Sequence, residues 1–457
     1  MKKELTSLEN LPVAVIGAGP AGLYAARQLA AAGNQVALIN RDLKPGGLAE
    51  YGIFHNKHKM KNGLRKQFRH ILDDPNIHYF GNVVVGQQAD LSLEQLQAIG
   101  FKAVMISVGA QGTKWLGLPG EDLQGVYHAK DLVYHYNQLP PFSTQKFNLG
   151  KRVALIGAGN VMIDIANYCV RDLKVETVTA VVRRGPADVK FTRKELAHIA
   201  ENMDLNDLQD EISRTAPLLR SVAQDPDAAH NFLLSALPKA DKSISDTIFG
   251  FQFLASPKSI RGDNQGQVTG LEVEETSLAL REGGGTKSVS LGTTKVIEVD
   301  SVIFCIGDQV ETGFGLPLDQ WKDFAKHPQP RFPVADLSYE SYDPESEQPV
   351  EGVFLSGWAR EASSGLVGSA RKDGENGAKA MLSYLQTLSE DSPTAENPAI
   401  EALEAQLAEL KKPIVFKPDL FRLEEIEEQQ AEEMGQESFK FSSNDEMFEA
   451  MGLTRYA

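Results

Sequence analysis

The segment Val13-Ala-Val-Ile-Gly17-Ala-Gly19-Pro-Ala-Gly22 decides how the rest of the sequence is interpreted. Its four apolar residues predict a buried parallel strand, and the glycine turn leads into an alanine-rich stretch that predicts a helix. Gly17 permits the tight turn, Gly19 lets the backbone approach a phosphate, and Gly22 lets helix and strand pack closely. The helix N-terminus then offers N–H groups and a partial positive charge to an anion. The segment therefore predicts a dinucleotide-binding turn.

A second copy of this pattern follows about 140 residues later, as Val153-Ala-Leu-Ile-Gly157-Ala-Gly159-Asn-Val-Met162. Its next predicted strand ends at Val182 and is followed by Arg183 and Arg184. In this type of fold the adenine-ribose edge lies there, and arginine offers charge-assisted bonds to a 2′-phosphate, which selects NADP(H) over NAD(H). Two dinucleotides in one chain suggest flavin chemistry.

Composition limits the possible classes of protein. A chain of 457 residues with 42% apolar and 24% charged residues predicts two or three globular domains. No apolar run approaches the ~18 residues that span a bilayer, and no secretory signal is recognised, so we expect a cytoplasmic location. The only cysteines, Cys169 and Cys305, form no Cys-x-x-Cys motif, which argues against a redox disulfide and a protein-held iron–sulfur cluster. The histidines lack metal-ligand spacing, so no metal is expected.

Charge is distributed unevenly along the chain. The formal net charge is −16, and residues 389–457 contain 17 acidic and 6 basic residues. Residues 57–69, in contrast, contain six lysines and arginines and no acid. This basic stretch is either a solvated helix face or a docking patch for an acidic partner or phosphates, and the acidic tail could instead cover it.

The order of predicted elements indicates an α/β fold with two Rossmann-like dinucleotide-binding domains, the NADP domain inserted into the FAD domain. The predicted boundaries are 1–108 and 307–388 for the FAD-binding domain, 109–306 for the NADP-binding domain, and 389–457 for an acidic helical extension.

Several further motifs resemble one family across nearly the whole chain. They include Gly46-Gly-Leu48, Leu118-Pro-Gly-Glu-Asp122, Arg183-Arg-Gly-Pro186, Phe191-Thr-Arg-Lys-Glu195, Gly357-Trp358 and Gly365-Leu-Val367. With the two glycine turns, they resemble the adrenodoxin-reductase-type ferredoxin–NADP(+) reductases, including bacterial members.

The resemblance implies FAD and NADP as cofactors and assigns residues to each. Together with the glycine turn, the expected FAD residues are Gly17, Gly19, Ala21, Gly22, Asn40, Leu48, Val83, Gly357, Trp358, Gly365, Leu366 and Val367. The expected NADP residues are Gly157, Gly159, Asn160, Val161, Met162, Arg183, Arg184, Glu195 and Gly365.

The sequence departs from the family pattern in three places. Asn40 stands where an acid usually accepts from the FAD ribose, and Met162 stands where a small residue is usual. A histidine and an acid beside the nicotinamide correspond here to Lys57 and His198, which would both tend toward positive charge. His55 or His58 could replace that histidine, so the candidate catalytic residues are His55, Lys57, His58 and His198.

The expected activity is that of an NADPH-dependent flavoprotein reductase. Hydride would pass from NADPH to FAD, and single electrons would then pass to ferredoxin or a similar iron–sulfur carrier. Residues 57–69 and Lys190, Arg193 and Lys194 are candidate docking surfaces for that carrier. The alternatives are a stand-alone flavin oxidoreductase of an organic substrate, related to the glutamate synthase small subunit, and a non-catalytic flavin-binding protein. Neither nucleic acid nor a membrane is expected as a partner, and the sequence does not specify an oligomeric state.

Overall fold

The structure, a computed structural model, describes residues 11–388 and 398–453 of the chain. Its residues form two compact units. Unit 1 contains residues 11–113, 134–144 and the described part of 308–453, and unit 2 contains residues 114–133 and 145–307. Compared with the predicted boundaries, residues 109–113 and 134–144 belong to unit 1, and the acidic extension is part of the same unit. Of that extension, residues 389–397 and 454–457 lie outside the described residues.

The first segment of unit 1 alternates strands and helices. Its elements are β1 (Pro12–Ile16), α1 (Pro20–Ala31), β2 (Gln35–Asn40), α2 (Leu48–Tyr51), α3 (His58–Leu72), β3 (Ile77–Gly81), α4 (Leu93–Ile99), β4 (Ala103–Ile106) and β5 (Gly112–Thr113). Pro20 opens α1, where a missing N–H costs nothing. Ser92 and Gln95 form a reciprocal capping box at the start of α4. Strand β3 ends at Gly81, two residues before Val83.

Unit 2 contains a parallel sheet and a separate antiparallel one. Its elements, together with the helix that continues into unit 1, are β6 (Val126–His128), α5 (Ala129–Tyr136), β7 (Arg152–Ile156), α6 (Asn160–Asn167), β8 (Thr177–Val182), α7 (Arg193–Leu196), α8 (Leu205–Ser221), α9 (Pro226–Leu234), β9 (Ile248–Phe253), β10 (Ala255–Gly262), β11 (Val268–Leu280), β12 (Thr286–Glu298) and β13 (Ser301–Phe304). The parallel sheet has the order β6-β13-β7-β8-β9, and β10-β11-β12 is antiparallel. Cys169 and Cys305 are both buried in this unit.

The chain then returns to complete unit 1. The remaining elements are β14 (Asp308–Gln309), β15 (Glu340–Asp343), β16 (Gln348–Leu355), α10 (Val367–Leu388), α11 (Ala399–Ala408), α12 (Lys417–Glu433) and α13 (Asn444–Met451). The six-stranded sheet has the order β15-β16-β4-β1-β2-β3, and only β15 pairs antiparallel. The predicted α/β class with two parallel, dinucleotide-binding-type sheets is confirmed.

Both faces of the unit 1 sheet are covered, as parallel sheets require. Val13 and Val15 face a core shared with α1, α10 and α12, whereas Ala14 and Ile16 face a core shared with α4 and α11. This explains why β1 is apolar at every position. No helix within residues 11–388 and 398–453 combines the length and hydropathy needed to span a membrane.

A buried charge cluster lies beneath α2 and α3 in unit 1. Arg65 donates two hydrogen bonds to the Glu50 carboxylate, at 2.8 and 2.6 Å, and the Lys440 ammonium lies 2.6 Å from the same carboxylate. Burial opposes ionisation of Glu50, but Lys440 and Arg65 hold its pKa well below the ordinary value. Lys61 is also buried and donates to Asn137 Oδ1. Burial, together with the charge of Lys440, lowers the pKa of Lys61 to about 7.

The lowered pKa of Lys61 predicts a specific dependence of stability on pH. Between pH 7 and 10.5 the unfolded chain binds the Lys61 proton and the folded chain releases it. Stability should therefore rise with pH in this window, by up to about 1.4 kcal/mol per pH unit from this group. Lys61→Met should remove that rise in urea unfolding experiments, whereas Lys59→Met, an exposed lysine on the same helix, should retain it. Parallel curves for the wild type and Lys61→Met would contradict the assignment.

Candidate functional site

The first glycine turn has the geometry of a dinucleotide site. A Cβ on Gly22 would lie 1.9 Å from the carbonyl oxygen of Gly17, so only glycine allows α1 to lie this close to the turn. A Cβ on Gly19 would meet no atom within 4 Å. Open space therefore faces the N-terminus of α1, where its N–H groups favour an anion. The turn fits the pyrophosphate of a dinucleotide.

The side-chain amide of Asn40, at the end of β2, forms hydrogen bonds to backbone groups of unit 1. Its Oδ1 accepts from the Ala18 N–H at 3.0 Å, and its Nδ2 donates to the carbonyl oxygens of Asp42 and Lys44 at 2.9 and 3.0 Å. The side chain is 8% exposed. Asn40 therefore ties the glycine turn to the loop after β2, and its contact with a ribose stays a prediction.

Arg41 is a further candidate site residue, which the sequence reasoning missed. Its guanidinium donates to Asp42 Oδ1 at 3.1 Å and to Gln111 Oε1 at 3.3 Å, and its side chain is 42% exposed. The interaction with Asp42 raises the pKa of Arg41. The available signal was its position directly after Asn40, at the strand end where the ribose of a bound dinucleotide lies in this fold.

The loop 357–367 is held to α10 by one carboxylate. Asp373 Oδ2 accepts from the Gly357 N–H at 2.6 Å, and Arg360 Nη2 donates to Asp373 Oδ1 at 2.7 Å. Trp358 Nε1 donates to the carbonyl oxygen of Ser364 at 2.7 Å, and Leu366 is 75% exposed. A preorganised loop with an exposed apolar side chain suits the flat ring system of a flavin.

The other expected FAD residues occupy different environments in unit 1. Ala21 is buried, and a Cβ on Gly357 would lie 2.6 Å from its side chain. Val83 is also buried and donates its N–H to the carbonyl oxygen of Asn40 at 3.0 Å. Leu48, Gly365 and Val367 are at least partly exposed.

The second glycine turn, in unit 2, differs from the first. A Cβ on Gly157 would lie 2.4 Å from the carbonyl oxygen of Cys305, whereas one on Gly159 would meet no atom within 4 Å. Open space again faces a helix N-terminus, here that of α6. Met162, at the position equivalent to Gly22, is fully buried, and Val161 is 44% exposed. The turn keeps the space for a pyrophosphate although the close helix–strand contact is replaced.

The segment after β8 folds back over the second turn. The N–H groups of Lys190 and Phe191 both donate to the carbonyl oxygen of Ala158, at 2.7 and 3.2 Å. Asn160 Oδ1 accepts from the Thr192 N–H at 2.9 Å. The first turn of α7 therefore lies beside the glycine turn.

Arg183 and Arg184 follow β8 as expected. Arg183 is exposed, and Arg184 lies 3.6 Å from Asp188 Oδ1. Asp188 also accepts from Thr286 Oγ1 at 2.7 Å. One acid therefore offsets part of the positive charge at this edge, and Arg183 is the more accessible donor for a phosphate.

Comparison with known proteins agrees with this geometry. The family model of the pyridine nucleotide-disulphide oxidoreductases matches residues 11–206. The mitochondrial NADPH:adrenodoxin oxidoreductase of Mus musculus is 27% identical over an alignment of 497 positions, gaps included. The alignment covers 98% of this chain and 94% of that protein. The NADPH-ferredoxin reductase FprA of Mycobacterium leprae is 27% identical over 412 residues, covering 82% of this chain and 84% of that protein. The chain is therefore similar over most of its length to NADPH:adrenodoxin oxidoreductase and NADPH-ferredoxin reductase FprA.

The fold of this chain is also found in a solved structure. The structure of Mycobacterium tuberculosis FprA in complex with NADPH matches with a TM-score of 0.78 and 22% identity. The match covers 97% of this chain and 100% of that chain. Both glycine turns therefore lie in a shared fold.

His198 of this chain is paired with two acidic side chains. Its Nδ1 lies 2.7 Å from Asp241 Oδ2, and its Nε2 lies 3.6 Å from Glu195 Oε2. The N–H of Asp241 donates to the carbonyl oxygen of Ala197, which fixes the loop against α7. Unit 2 therefore supplies local carboxylates for His198, and Lys57 is not needed as its partner.

The other three candidate catalytic residues lie in unit 1 and make separate contacts. His58 Nδ1 lies 3.0 Å from Ser438 Oγ, and burial lowers the pKa of His58. The His55 ring packs on Phe54 with centroids 4.6 Å apart. Lys57 precedes α3 and donates its backbone N–H to the carbonyl oxygen of Phe54. None of these contacts forms a histidine–acid pair.

The C-terminal extension contacts the basic helix α3 at Arg69 and at His58. Arg69 Nη1 lies 2.8 Å from Glu424, and its guanidinium lies 3.2 Å from the centre of the Phe421 ring. Arg65 pairs with buried Glu50 instead. In the described part of the chain the acidic tail thus covers Arg69 only, and Lys59 and Lys66 on the same helix are exposed.

The bonding of Asn40 predicts the effect of restoring an acid there. In Asn40→Asp a carboxylate would face the carbonyl oxygens of Asp42 and Lys44 without a donor, which should cost about 1–3 kcal/mol of stability. Retention of FAD, measured by absorbance after gel filtration, should fall with it. Asn56→Asp, at an exposed position before α3, should change neither property. An Asn40→Asp protein that retains FAD better at equal stability would show that the ribose contact dominates.

Proposed function

We propose that this chain is an NADPH-dependent FAD reductase that transfers electrons singly to a ferredoxin or similar iron–sulfur carrier. The observation that carries the proposal is the pair of glycine turns with open space at Gly19 and Gly159. The second turn is followed by two arginines. The names of the homologues, NADPH:adrenodoxin oxidoreductase and NADPH-ferredoxin reductase, support the same chemistry.

In this proposal unit 1 holds FAD. The backbone of the first turn binds its pyrophosphate, Arg41 and Asn40 lie at its ribose, and the loop fixed by Asp373 contacts the flavin. Unit 2 holds NADPH, with Asn160 and Glu195 beside the second turn and Arg183 and Arg184 at the 2′-phosphate. When bound, NADPH supplies a hydride and FAD separates its electron pair into single electrons.

The carrier is expected to have an acidic surface, and the exposed cations determine where it can dock. Because α12 covers Arg69 on α3, we place the main docking cations in unit 2, at Lys190, Arg193 and Lys194, all exposed. Lys59 and Lys66 are secondary candidates. We also propose a cytoplasmic location.

The proposal predicts that electron transfer to a one-electron acceptor depends on an iron–sulfur carrier. NADPH-driven reduction of cytochrome c should be slow with the reductase alone and rise severalfold when ferredoxin is added, because ferredoxin relays single electrons. Lys190→Ala combined with Lys194→Ala should lower that stimulation, most strongly at low salt. NADPH oxidation that requires an organic acceptor and ignores ferredoxin would favour the stand-alone oxidoreductase instead.

Arg183 and Arg184 predict a preference for NADPH over NADH. Arg183→Ala with Arg184→Ala should lower kcat/KM for NADPH by at least about 10- to 150-fold, because the loss of even one hydrogen bond to a charged group costs about 1.5–3 kcal/mol. The value for NADH should change little. Arg220→Ala, at an exposed position on α8, serves as the control. An unchanged ratio of the two values would remove the 2′-phosphate assignment.

A further inference from the structure

The C-terminal extension contacts the segment 41–51, which contains α2, at two buried points. At the first point Lys44 donates to Glu427 Oε2 of α12, and the two side chains are 6% and 8% exposed. The other carboxylate oxygen, Glu427 Oε1, is buried and accepts from no group among residues 11–388 and 398–453. The hydrogen bond from Lys44 therefore fixes this carboxylate and, in return, the carboxylate fixes Lys44.

Lys440, which follows α12, makes the second contact. Its ammonium lies 2.6 Å from Glu50 Oε1 and donates to the carbonyl oxygens of Glu50 and Asn137 at 3.2 and 3.1 Å. It also lies 4.7 Å from the centre of the Tyr51 ring. An ammonium has three donors, which these three acceptors match. Lys440 therefore holds α2 by both a side chain and the backbone.

The segment 41–51 lies directly on the first glycine turn. The Gly46 N–H donates to the carbonyl oxygen of Ala18 at 2.7 Å. A Cβ on Gly47 would lie 3.1 Å from the Cα of Gly19, so the two backbones touch where open space faces the start of α1. The path of this segment therefore determines the shape of the turn that fits a pyrophosphate.

Asn40 links the turn to the same segment a second time. Its side chain accepts from the Ala18 N–H at 3.0 Å and donates to the carbonyl oxygen of Lys44 at 3.0 Å. Leu48, an expected FAD residue, lies between Lys44 and Glu50, the two residues that the extension holds. A shift of either residue would therefore move both the turn and the expected flavin contact.

We propose that Glu427 and Lys440 are positioning residues for FAD, which hold the segment 41–51 against the first glycine turn from the C-terminal extension. The inference rests on the proposed function, in which unit 1 holds FAD, and adds a role for the extension at that site. Without these contacts the segment has more conformations in the flavin-free protein, so that FAD binding must order it. Ordering even one residue lowers affinity by about 5- to 30-fold.

The test measures the affinity of the full chain for FAD after its flavin has been removed. Titration followed by flavin fluorescence gives the dissociation constant, and urea unfolding gives the folded fraction to which that constant is referred. Lys440→Met should raise the dissociation constant about tenfold or more.

The matched control is Lys417→Met, also in the extension. Lys417 Nζ donates to the carbonyl oxygen of Asp74 at 2.7 Å, before β3 and at the end of that strand opposite to the glycine turn. This variant should keep the dissociation constant within about twofold of the wild-type value, because the segment 41–51 keeps both of its contacts. Lower stability of Lys440→Met without weaker FAD binding would overturn the positioning role.

A paired substitution keeps the inference testable if Lys440→Met does not fold. Lys44→Met with Glu427→Met removes both charges of the buried pair, and replacing a whole buried ion pair by apolar side chains is often neutral for stability. The double variant should therefore fold, yet bind FAD about fivefold or more weakly, because apolar packing is not directional and no longer fixes Lys44 at one point. Wild-type affinity in this folded variant would remove the role of Glu427.

The wild-type titration separates this inference from the proposed function. If the wild type binds FAD and the folded variants bind it equally well, only the positioning role is lost. If the wild type binds no FAD, the proposed function and the positioning role fail together.

Discussion

The close approach of α1 to the first glycine turn is the constraint on which unit 1 depends. Gly22 allows it on one side, and Gly374 of α10 allows a second approach, because a Cβ there would lie 2.1 Å from the carbonyl oxygen of Ala21. The residue before Gly374 is Asp373, which holds Gly357 and Arg360. The packing that shapes the pyrophosphate turn therefore also positions the loop proposed to contact the flavin, more than 300 residues away in sequence.

The second glycine turn is held in place by different contacts. Met162 occupies the position where a glycine would permit direct contact between helix and strand. Helix α6 begins at Asn160 and changes after two turns to a π-helical segment, Tyr168–Leu173. Support for the turn comes from outside instead, through Lys190 and Phe191 on Ala158 and Thr192 on Asn160. The same outer segment carries Asp188 and Glu195. The conformation of the second turn thus depends on contacts with one loop rather than on a close helix–strand contact.

Much of the fold, including the position of both glycine turns, could be predicted from the sequence, because strand, glycine and helix signals are local. The outcome at Asn40 could not. Its acceptors, the carbonyl oxygens of Asp42 and Lys44, are placed by the path of the loop after β2, which the sequence pattern does not specify. The Lys440–Glu50 ion pair joins positions 390 residues apart, and no local pattern indicates it. The sequence shows that Arg65 and Arg69 are cations, but only tertiary packing determines that they pair with Glu50 and Glu424.

The cover over α3 changes how the overall charge acts on a partner. Glu424, Glu427 and Lys440 are used in contacts with residues 44–69, so this part of the extension serves stability. Glu425, Glu428 and Glu432 on α12 remain exposed. An acidic carrier would therefore be repelled by this side of unit 1. When two proteins meet, repulsion between like charges disfavours wrong orientations, and attraction between opposite charges favours the right one. In the proposed function, the exposed glutamates of α12 therefore oppose the approach of an acidic carrier to this side of unit 1, which leaves the exposed cations of unit 2 as its main docking candidates.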